Sequence, residues 1–167
     1  MFLVGFMGAG KTSVGRALAK LLGWRFEDLD DRLQAREGRT IERIFAESGE
    51  PEFRRIESET LQELLAEEGD SPRVVALGGG AFVQRENAAM LEQAGAPAVF
   101  LDAAPDELYR RCCQEETERP LRRDAVEFRR LYEVRRPHYL KATLRIETSG
   151  KEVGAVAAEV VSKLSLR

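Results

Sequence analysis

The first dozen residues contain the pattern that most constrains the fold. Gly5-Phe6-Met7-Gly8-Ala9-Gly10-Lys11-Thr12 reads G-x-x-x-x-G-K-T, with the apolar run Phe2-Leu3-Val4 before it and helical spacing of apolar residues after it. Glycines let backbone N–H groups turn inward around phosphate oxygens, and the following helix N-terminus adds its dipole to that anion site. The sequence therefore predicts a strand, a phosphate-binding loop and a helix in succession.

The residues of this loop are expected to contact phosphate and a metal ion. We expect Lys11 to reach the β- and γ-phosphates of a nucleotide and the Thr12 hydroxyl to ligand Mg²⁺. The other predicted phosphate contacts of the loop come from Gly8, Ala9, Gly10 and Ser13. A purely structural glycine turn is the alternative, but the strand, the helix and the Lys-Thr pair favour phosphate binding.

Bulk composition narrows the classes of protein. At 167 residues the chain is expected to form one domain, and 43% hydrophobic and 33% charged residues are typical of a globular protein. The net charge of −3 gives no reason to expect nucleic acid or a membrane as a partner. Cys112 and Cys113 are adjacent and without metal-ligand spacing, so we expect reduced thiols and a cytoplasmic location. A monomer is a separate expectation.

Short apolar runs alternate with helical patterns along the whole chain. The strands predicted after the first one are Trp24–Glu27, Val74–Leu77, Ala98–Leu101 and Leu144–Ile146. Because strand and helix alternate without a repeat or a linker, we expect a single α/β domain over residues 1–167, with one parallel sheet covered by helices on both faces.

Carboxylates follow the second predicted strand directly. Asp28 and Asp30 would stand in the crevice at the carboxyl ends of the strands, where open parallel sheets bind ligands. The alternative is that an aspartate here only caps the helix predicted to run to Glu37. The sequence leaves both interpretations open.

Two further segments have a structural and a functional interpretation. Arg54 and Glu57 lie one helical turn apart, either as a minor surface ion pair or as an arginine oriented to grip a ligand carboxylate. Gly78, Gly79 and Gly80 end the strand at Leu77, either as a flexible loop or as a place where a ligand approaches the backbone closely.

Arginines dominate the last third of the chain. Residues 110–136 include nine of them, which is typical either of a solvated helical face or of a mobile clamp on phosphates. The segment of about 112–124 has no apolar periodicity and contains Arg119, so we predict a lid loop. A helix should follow, which Pro137 is expected to end or bend.

Taken together, these motifs resemble the shikimate kinase family over almost the whole chain. The matching segments are the P-loop, Asp28-Leu29-Asp30, Glu52 to Glu57, Leu77 to Gly80, Arg119-Pro120-Leu121 and Arg135 to Tyr139. The resemblance implies the nucleoside-monophosphate-kinase type of P-loop fold, a five-stranded parallel sheet in the order 2-3-1-4-5. It also implies transfer of the ATP γ-phosphate to the 3-hydroxyl of shikimate, with Mg²⁺, in aromatic amino-acid biosynthesis.

The same resemblance implies residue roles. Asp28 would hold Mg²⁺ through water, and Asp30 would bind shikimate hydroxyls and steer the proton of the attacking hydroxyl. Arg54 and Arg135 would grip the carboxylate, within a substrate-binding helical segment of about 31–65. The ring would lie against Gly78, Gly79 and Gly80, while Arg119 would reach the phosphates from the lid and Arg111 would contact the adenine.

Competing functions differ in testable features. Another small-molecule P-loop kinase, acting on gluconate or a nucleoside monophosphate, would have less use for the combination of Asp30, Arg54 and Arg135. A GTPase-like switch is disfavoured because neither an Asn-Lys-x-Asp nor an Asp-x-x-Gly motif occurs anywhere in the sequence. A nucleotide-binding domain without turnover is disfavoured by four intact residues, Lys11, Thr12, Asp28 and Asp30.

Overall fold

Strands and helices alternate in the computed structural model, which describes residues 1–67, 71–114 and 124–166. The strands are β1 (Phe2–Val4), β2 (Arg25–Asp28), β3 (Arg73–Ala76), β4 (Ala98–Asp102) and β5 (Leu144–Glu147). The helices within these ranges are α1 (Lys11–Leu22), α2 (Leu29–Glu37), α3 (Ile41–Ala66), α4 (Arg85–Gln93), α5 (Pro105–Gln114), α6 (Ala125–Tyr139) and α7 (Val153–Lys163).

The sheet has five strands in the order β2-β3-β1-β4-β5, and every neighbouring pair is parallel. The predicted fold class and strand order are therefore confirmed. The register pairs Phe2 of β1 with Val75 on one side and with Ala98 on the other. The first strand of the chain is thus the centre of the sheet, which is why it is short, apolar and fully buried.

Local chemistry explains where several helices begin and end. The α1 helix ends at Gly23, which has a φ of 67° and donates its N–H to Ala19 O. The side chain of Thr40 caps α3 by accepting from Arg43 N. Gly49 interrupts α3 with a φ of 80°, two residues before Pro51, so the long helix is two helices joined by a kink.

Three element boundaries differ from the predictions. The α2 helix already begins at Leu29, so Asp30 lies in its first turn and not in a preceding loop. The α6 helix continues two residues past Pro137, so this proline does not end it, although its missing N–H removes one backbone hydrogen bond. Residues 112–114, counted in the predicted lid, belong to α5, and most of that lid lies outside the described residues.

The core has two parts. The main cluster surrounds the sheet, with Leu3, Leu18, Val75, Val99 and Val160 among its fully buried members. A small second cluster of Leu33, Ile44, Phe53 and Ile56 lies between α2 and α3 and fixes the two helices against each other. In the described part of the chain, no helix is both long and apolar enough to cross a membrane.

Candidate active site

The P-loop is held in place by contacts that only glycine permits. A side chain at Gly8, which has a φ of 78°, would place its Cβ 2.6 Å from Leu108 O on α5. A Cβ at Gly5 would lie 2.7 Å from Leu101 O on β4. Lys11 Nζ donates to Gly5 O at 2.9 Å and to Phe6 O at 3.0 Å, so the lysine folds back over the loop that it follows.

The predicted metal ligands meet at the start of α1. Thr12 Oγ1 donates to Asp28 Oδ2 at 3.1 Å, and the other carboxylate oxygen of Asp28 accepts from Asp30 N at 3.0 Å. Asp28 therefore caps α2 and also contacts Thr12 of the P-loop, so capping is not its only contact, and its predicted role at the metal stays a prediction.

The Arg54–Glu57 pair is not a surface ion pair. Arg54 Nη1 donates to Glu57 Oε2 at 2.7 Å, and the Glu57 side chain is only 1% exposed. Burial raises the pKa of Glu57, while the neighbouring Arg54 guanidinium opposes that rise. Arg54 Nε is buried with no hydrogen-bond partner among the described residues, which is costly unless a ligand supplies an acceptor.

The triple-glycine turn is surrounded by the predicted acceptor-binding side chains. A Cβ built on Gly78 would lie 2.9 Å from Asp30 Oδ1, and one built on Gly80 would lie 2.7 Å from the Arg54 guanidinium carbon. A Cβ on Gly79 would lie 3.6 Å from Arg135 Nη1. Glycine is needed at this turn because functional groups from α2, α3 and α6 approach its backbone, so it is not merely a flexible loop.

Two cavities open on this turn from opposite ends. One, of about 380 Å³, is lined by P-loop residues together with Lys11, Thr12, Asp28 and Asp30. The other, of about 280 Å³, is lined by Arg54, Glu57 and Phe53 with the three glycines. The residues common to both are Met7, Asp30, Ile41, Gly78 and Gly79. The two cavities therefore adjoin each other at Asp30 and the glycine turn.

The other predicted nucleotide residues lie near the P-loop or outside the described chain. Arg111 on α5 donates to Gly8 O at 3.4 Å and to Thr148 O at 3.2 Å, and it also pairs with Glu107. Arg111 thus stands beside the loop, and its predicted contact with adenine stays a prediction. Arg119 lies outside the described residues, and its proposed contact with phosphates stays a prediction.

Sequence reasoning missed several residues in and around the cavity of about 280 Å³. The apolar spacing places Phe45 and Phe53 on the buried sides of two successive helices, yet their ring centroids lie 4.6 Å apart beside the cavity and Phe45 is 39% exposed. Tyr139, with an exposure of 0%, donates its hydroxyl hydrogen to Gly79 O. No spacing in the sequence signals these roles, since each depends on contacts between distant segments.

Arg135 is oriented by its neighbours on the P-loop side. Its guanidinium lies over the Phe6 ring at 5.8 Å from the centroid, a distance typical of cation–π contacts. Arg54 lies over the Phe53 ring at 5.0 Å in the same manner. Both predicted carboxylate-binding arginines are therefore braced on aromatic faces and stand on either side of the glycine turn.

Comparison with known proteins shows which family this chain resembles. The family model for shikimate kinase matches residues 7–165. The chain is 44% identical to a shikimate kinase from Geobacter metallireducens over 170 aligned positions, covering 100% of this chain and 92% of that protein. It is 40% identical to a shikimate kinase from Thermus thermophilus, covering 97% of this chain and 88% of the relative.

A solved structure gives the same answer. Shikimate kinase from Acinetobacter baumannii, solved in complex with shikimate, matches with a TM-score of 0.88 and 35% identity, covering 98% of this chain and 91% of that one. Motif order, site geometry, sequence relatives and fold all agree. The chain therefore belongs to the shikimate kinase family of ATP-dependent P-loop kinases.

Proposed function

We propose that this chain transfers the γ-phosphate of ATP to the 3-hydroxyl of shikimate, using the cavity that meets the P-loop at Asp30. The observation that carries the proposal is the convergence of Asp30, Arg54 and Arg135 on the glycine turn. Asp30 and Arg54 line a space of about 280 Å³. Arg135 adds a second guanidinium group beside Gly79, which borders the same space. That set matches a small acid with several hydroxyls.

The acceptor would be oriented by its carboxylate. Arg54 and Arg135 can each offer a planar fork, and a carboxylate bridging them would also satisfy the orphaned Arg54 Nε. Asp30 lies at the other end of this cavity, next to the phosphate site. It is therefore placed to accept the proton of the hydroxyl that attacks the γ-phosphate.

The nucleotide would occupy the P-loop cavity. Lys11 would leave the carbonyls of Gly5 and Phe6 to neutralise the phosphates, with Ser13 and the loop N–H groups around them. We propose that Arg119 completes this charge neutralisation and that Arg111 lies against the adenine, near Thr148.

Thr12 and Asp28 fit a magnesium ion. They place a hydroxyl and a carboxylate oxygen 3.1 Å apart, and both are the hard oxygen donors that Mg²⁺ prefers. No cluster of three or more acidic, cysteine or histidine ligands occurs in the described segments, which suits an ion that keeps water and phosphate oxygens as its other ligands. When bound, the ion would supply charge stabilisation for phosphoryl transfer.

One chain supplies both ends of the proposed site. We therefore propose that the protein acts as a monomeric single domain, with shikimate and ATP as its partners and no nucleic acid or membrane. Cys112 is buried and Cys113 exposed, and neither is in a disulfide, which supports a reducing, cytoplasmic location.

Two substitutions test the catalytic assignment. Asp30→Asn keeps the shape of the site but removes the proton acceptor, so ATP binding should persist while kcat falls about a hundredfold or more. Lys11→Ala should lose both ATP binding and turnover, because its charge acts on the phosphates themselves. Calorimetry measures ATP binding and steady-state kinetics with shikimate measures turnover, so the two losses can be distinguished. An unchanged kcat in Asp30→Asn would refute the role given to this carboxylate.

A substrate panel tests the acceptor. Phosphate transfer should be measured with shikimate, gluconate and nucleoside monophosphates at equal concentration. The two arginine forks favour the acid, and Phe45 and Phe53 favour a compact ring over a flexible chain. A higher kcat/KM for gluconate or for a nucleotide than for shikimate would contradict the proposed function.

A further inference from the structure

The backbone of the triple-glycine turn is anchored from the protein interior by two side chains. Tyr139 on α6 donates its hydroxyl hydrogen to Gly79 O, and Asn87 Nδ2 on α4 donates to Ala81 O at 2.9 Å. Both side chains have an exposure of 0%. A third bond closes the turn itself, from Ala81 N to Gly78 O at 3.0 Å.

Tyr139 is fixed as a hydrogen-bond donor. Its ring packs on Phe100 of β4 with the centroids 5.2 Å apart, so the side chain has no room to turn away. Burial raises the pKa of the Tyr139 phenol to about 12, although the nearby Arg135 opposes the rise. The hydroxyl hydrogen is therefore present at neutral pH and directed at the glycine carbonyl.

This bond sets the direction of one peptide plane. In a trans peptide the carbonyl and the following N–H point in opposite directions. Because Tyr139 holds Gly79 O on its own side, the N–H of Gly80 points away from Tyr139. Gly80 is buried and lines the acceptor cavity, and its N–H has no acceptor among residues 1–67, 71–114 and 124–166. Buried N–H groups are rarely left without a partner, so this one awaits a ligand.

We infer that Tyr139 is a positioning residue that orients the Gly79–Gly80 peptide so that the Gly80 N–H hydrogen-bonds the acceptor, with Asn87 bracing the end of the same turn. The inference rests on the acceptor site proposed above. Tyr139 itself touches no reacting atom. It acts through the backbone, and it also lies next to Arg135, which stands over the same turn.

Tyr139→Phe tests this inference with a minimal change. Removing one hydroxyl lets the peptide rotate, so KM for shikimate should rise about fivefold to tenfold, as expected for one hydrogen bond. The values of kcat and of KM for ATP should stay within about twofold, since the P-loop cavity is untouched. A loss of general stability would instead lower the apparent kcat and leave both KM values unchanged.

Tyr132→Phe is the matched control. Tyr132 is also a buried phenol of α6, but its hydroxyl donates to Asp102 Oδ1 at 3.1 Å, away from the glycine turn. This variant should leave KM for shikimate unchanged. Asn87→Leu removes the second anchor together with an orphaned buried oxygen, so it should fold and show a smaller rise in the same KM.

Arg54→Lys, measured in parallel, tests the acceptor site separately from the positioning role of Tyr139. A point charge cannot reproduce the fork, so KM for shikimate should rise far more than KM for ATP. If Arg54→Lys behaves so while Tyr139→Phe and Asn87→Leu leave KM for shikimate unchanged, the positioning role is wrong and the acceptor site stands. Equal rises in both KM values for Tyr139→Phe would also overturn the inference. If Arg54→Lys shows no selective effect either, the acceptor site itself fails.

Discussion

At the scale of single residues, the acceptor cavity depends on ionisable groups kept out of water. Glu57 is the clearest case, because its carboxylate is buried and yet is the partner that orients Arg54. Desolvation outweighs the attraction of Arg54, which leaves the pKa of Glu57 above its ordinary value. Burying this carboxylate therefore lowers the stability of the protein, but it also holds the Arg54 guanidinium in one orientation.

This cost should appear in the pH dependence of stability. A raised pKa means that the folded protein binds the Glu57 proton more tightly than the unfolded chain. The free energy of unfolding should therefore fall as pH rises from about 4.5, the ordinary value, through the raised pKa of the folded state, and then level off. The side chain in Glu57→Gln cannot titrate. Urea denaturation of both proteins should therefore show that the free energy of unfolding of the wild type, minus that of the variant, falls as pH rises across this window.

Glu50→Gln is the control for that comparison. Glu50 is the exposed acid on the other side of Arg54, at 3.5 Å from Nη2. Glu50→Gln also removes an acid partner of Arg54, but it should change the free energy of unfolding little, since exposed ion pairs contribute little to stability. A flat or rising difference for Glu57→Gln would show that Arg54, and not desolvation, dominates the titration of Glu57.

At the scale of elements, one aspartate ties together the half of the sheet beyond the P-loop. Asp102, at the end of β4 and 1% exposed, accepts from Arg136 of α6 at 2.8 Å and from Arg145 of β5 at 2.9 Å. Its backbone oxygen accepts from Thr148 N at 2.7 Å. The strand, the neighbouring strand and the helix that carries Arg135 are thus joined at one point.

Asp102→Asn should therefore destabilise the protein strongly. Removing one partner of a buried ion pair costs about 3–5 kcal/mol, and the partial exposure of both arginines brings our expectation to about 2–3 kcal/mol. Asp106→Asn is the matched control, because that aspartate pairs with Arg129 at a side-chain exposure of 79%. Its cost should stay below about 1 kcal/mol. Urea denaturation at pH 7 measures the loss in free energy of unfolding for both variants. Equal losses would contradict the role of Asp102 in joining β4, β5 and α6.

At the scale of the whole molecule, the residues of the candidate site are held by the protein's own contacts. Lys11 is held by loop carbonyls, and Thr12 is held by Asp28. The sheet that carries these groups is centred on β1, so the phosphate site is anchored in the middle of the core. Magnesium would then serve the reaction and not the fold.

Removal of divalent metal tests this separation. In EDTA the protein should lose phosphate transfer completely while its Tm in the absence of nucleotide changes by no more than about 1 °C, and added Mg²⁺ should restore activity. Mg²⁺ with ADP should raise Tm, because a ligand that binds only the folded state stabilises it. A large fall of Tm in EDTA alone would show instead that a metal supports the fold.

The sequence by itself determined the P-loop, the alternation of strand and helix, and the acidic and arginine residues of the site. These follow from local rules: glycine where the backbone must turn inward, apolar runs for buried strands, and Asp28 where a helix needs a cap. The family resemblance supplied the strand order 2-3-1-4-5.

Only the tertiary structure decided how these residues act together. It showed that Glu57 is buried, that Tyr139 reaches Gly79 across 60 residues of chain, and that Asp102 joins three elements. Burial and orientation of a side chain depend on which distant segments pack against it. The spacing of residues along the chain does not tell which segments those are.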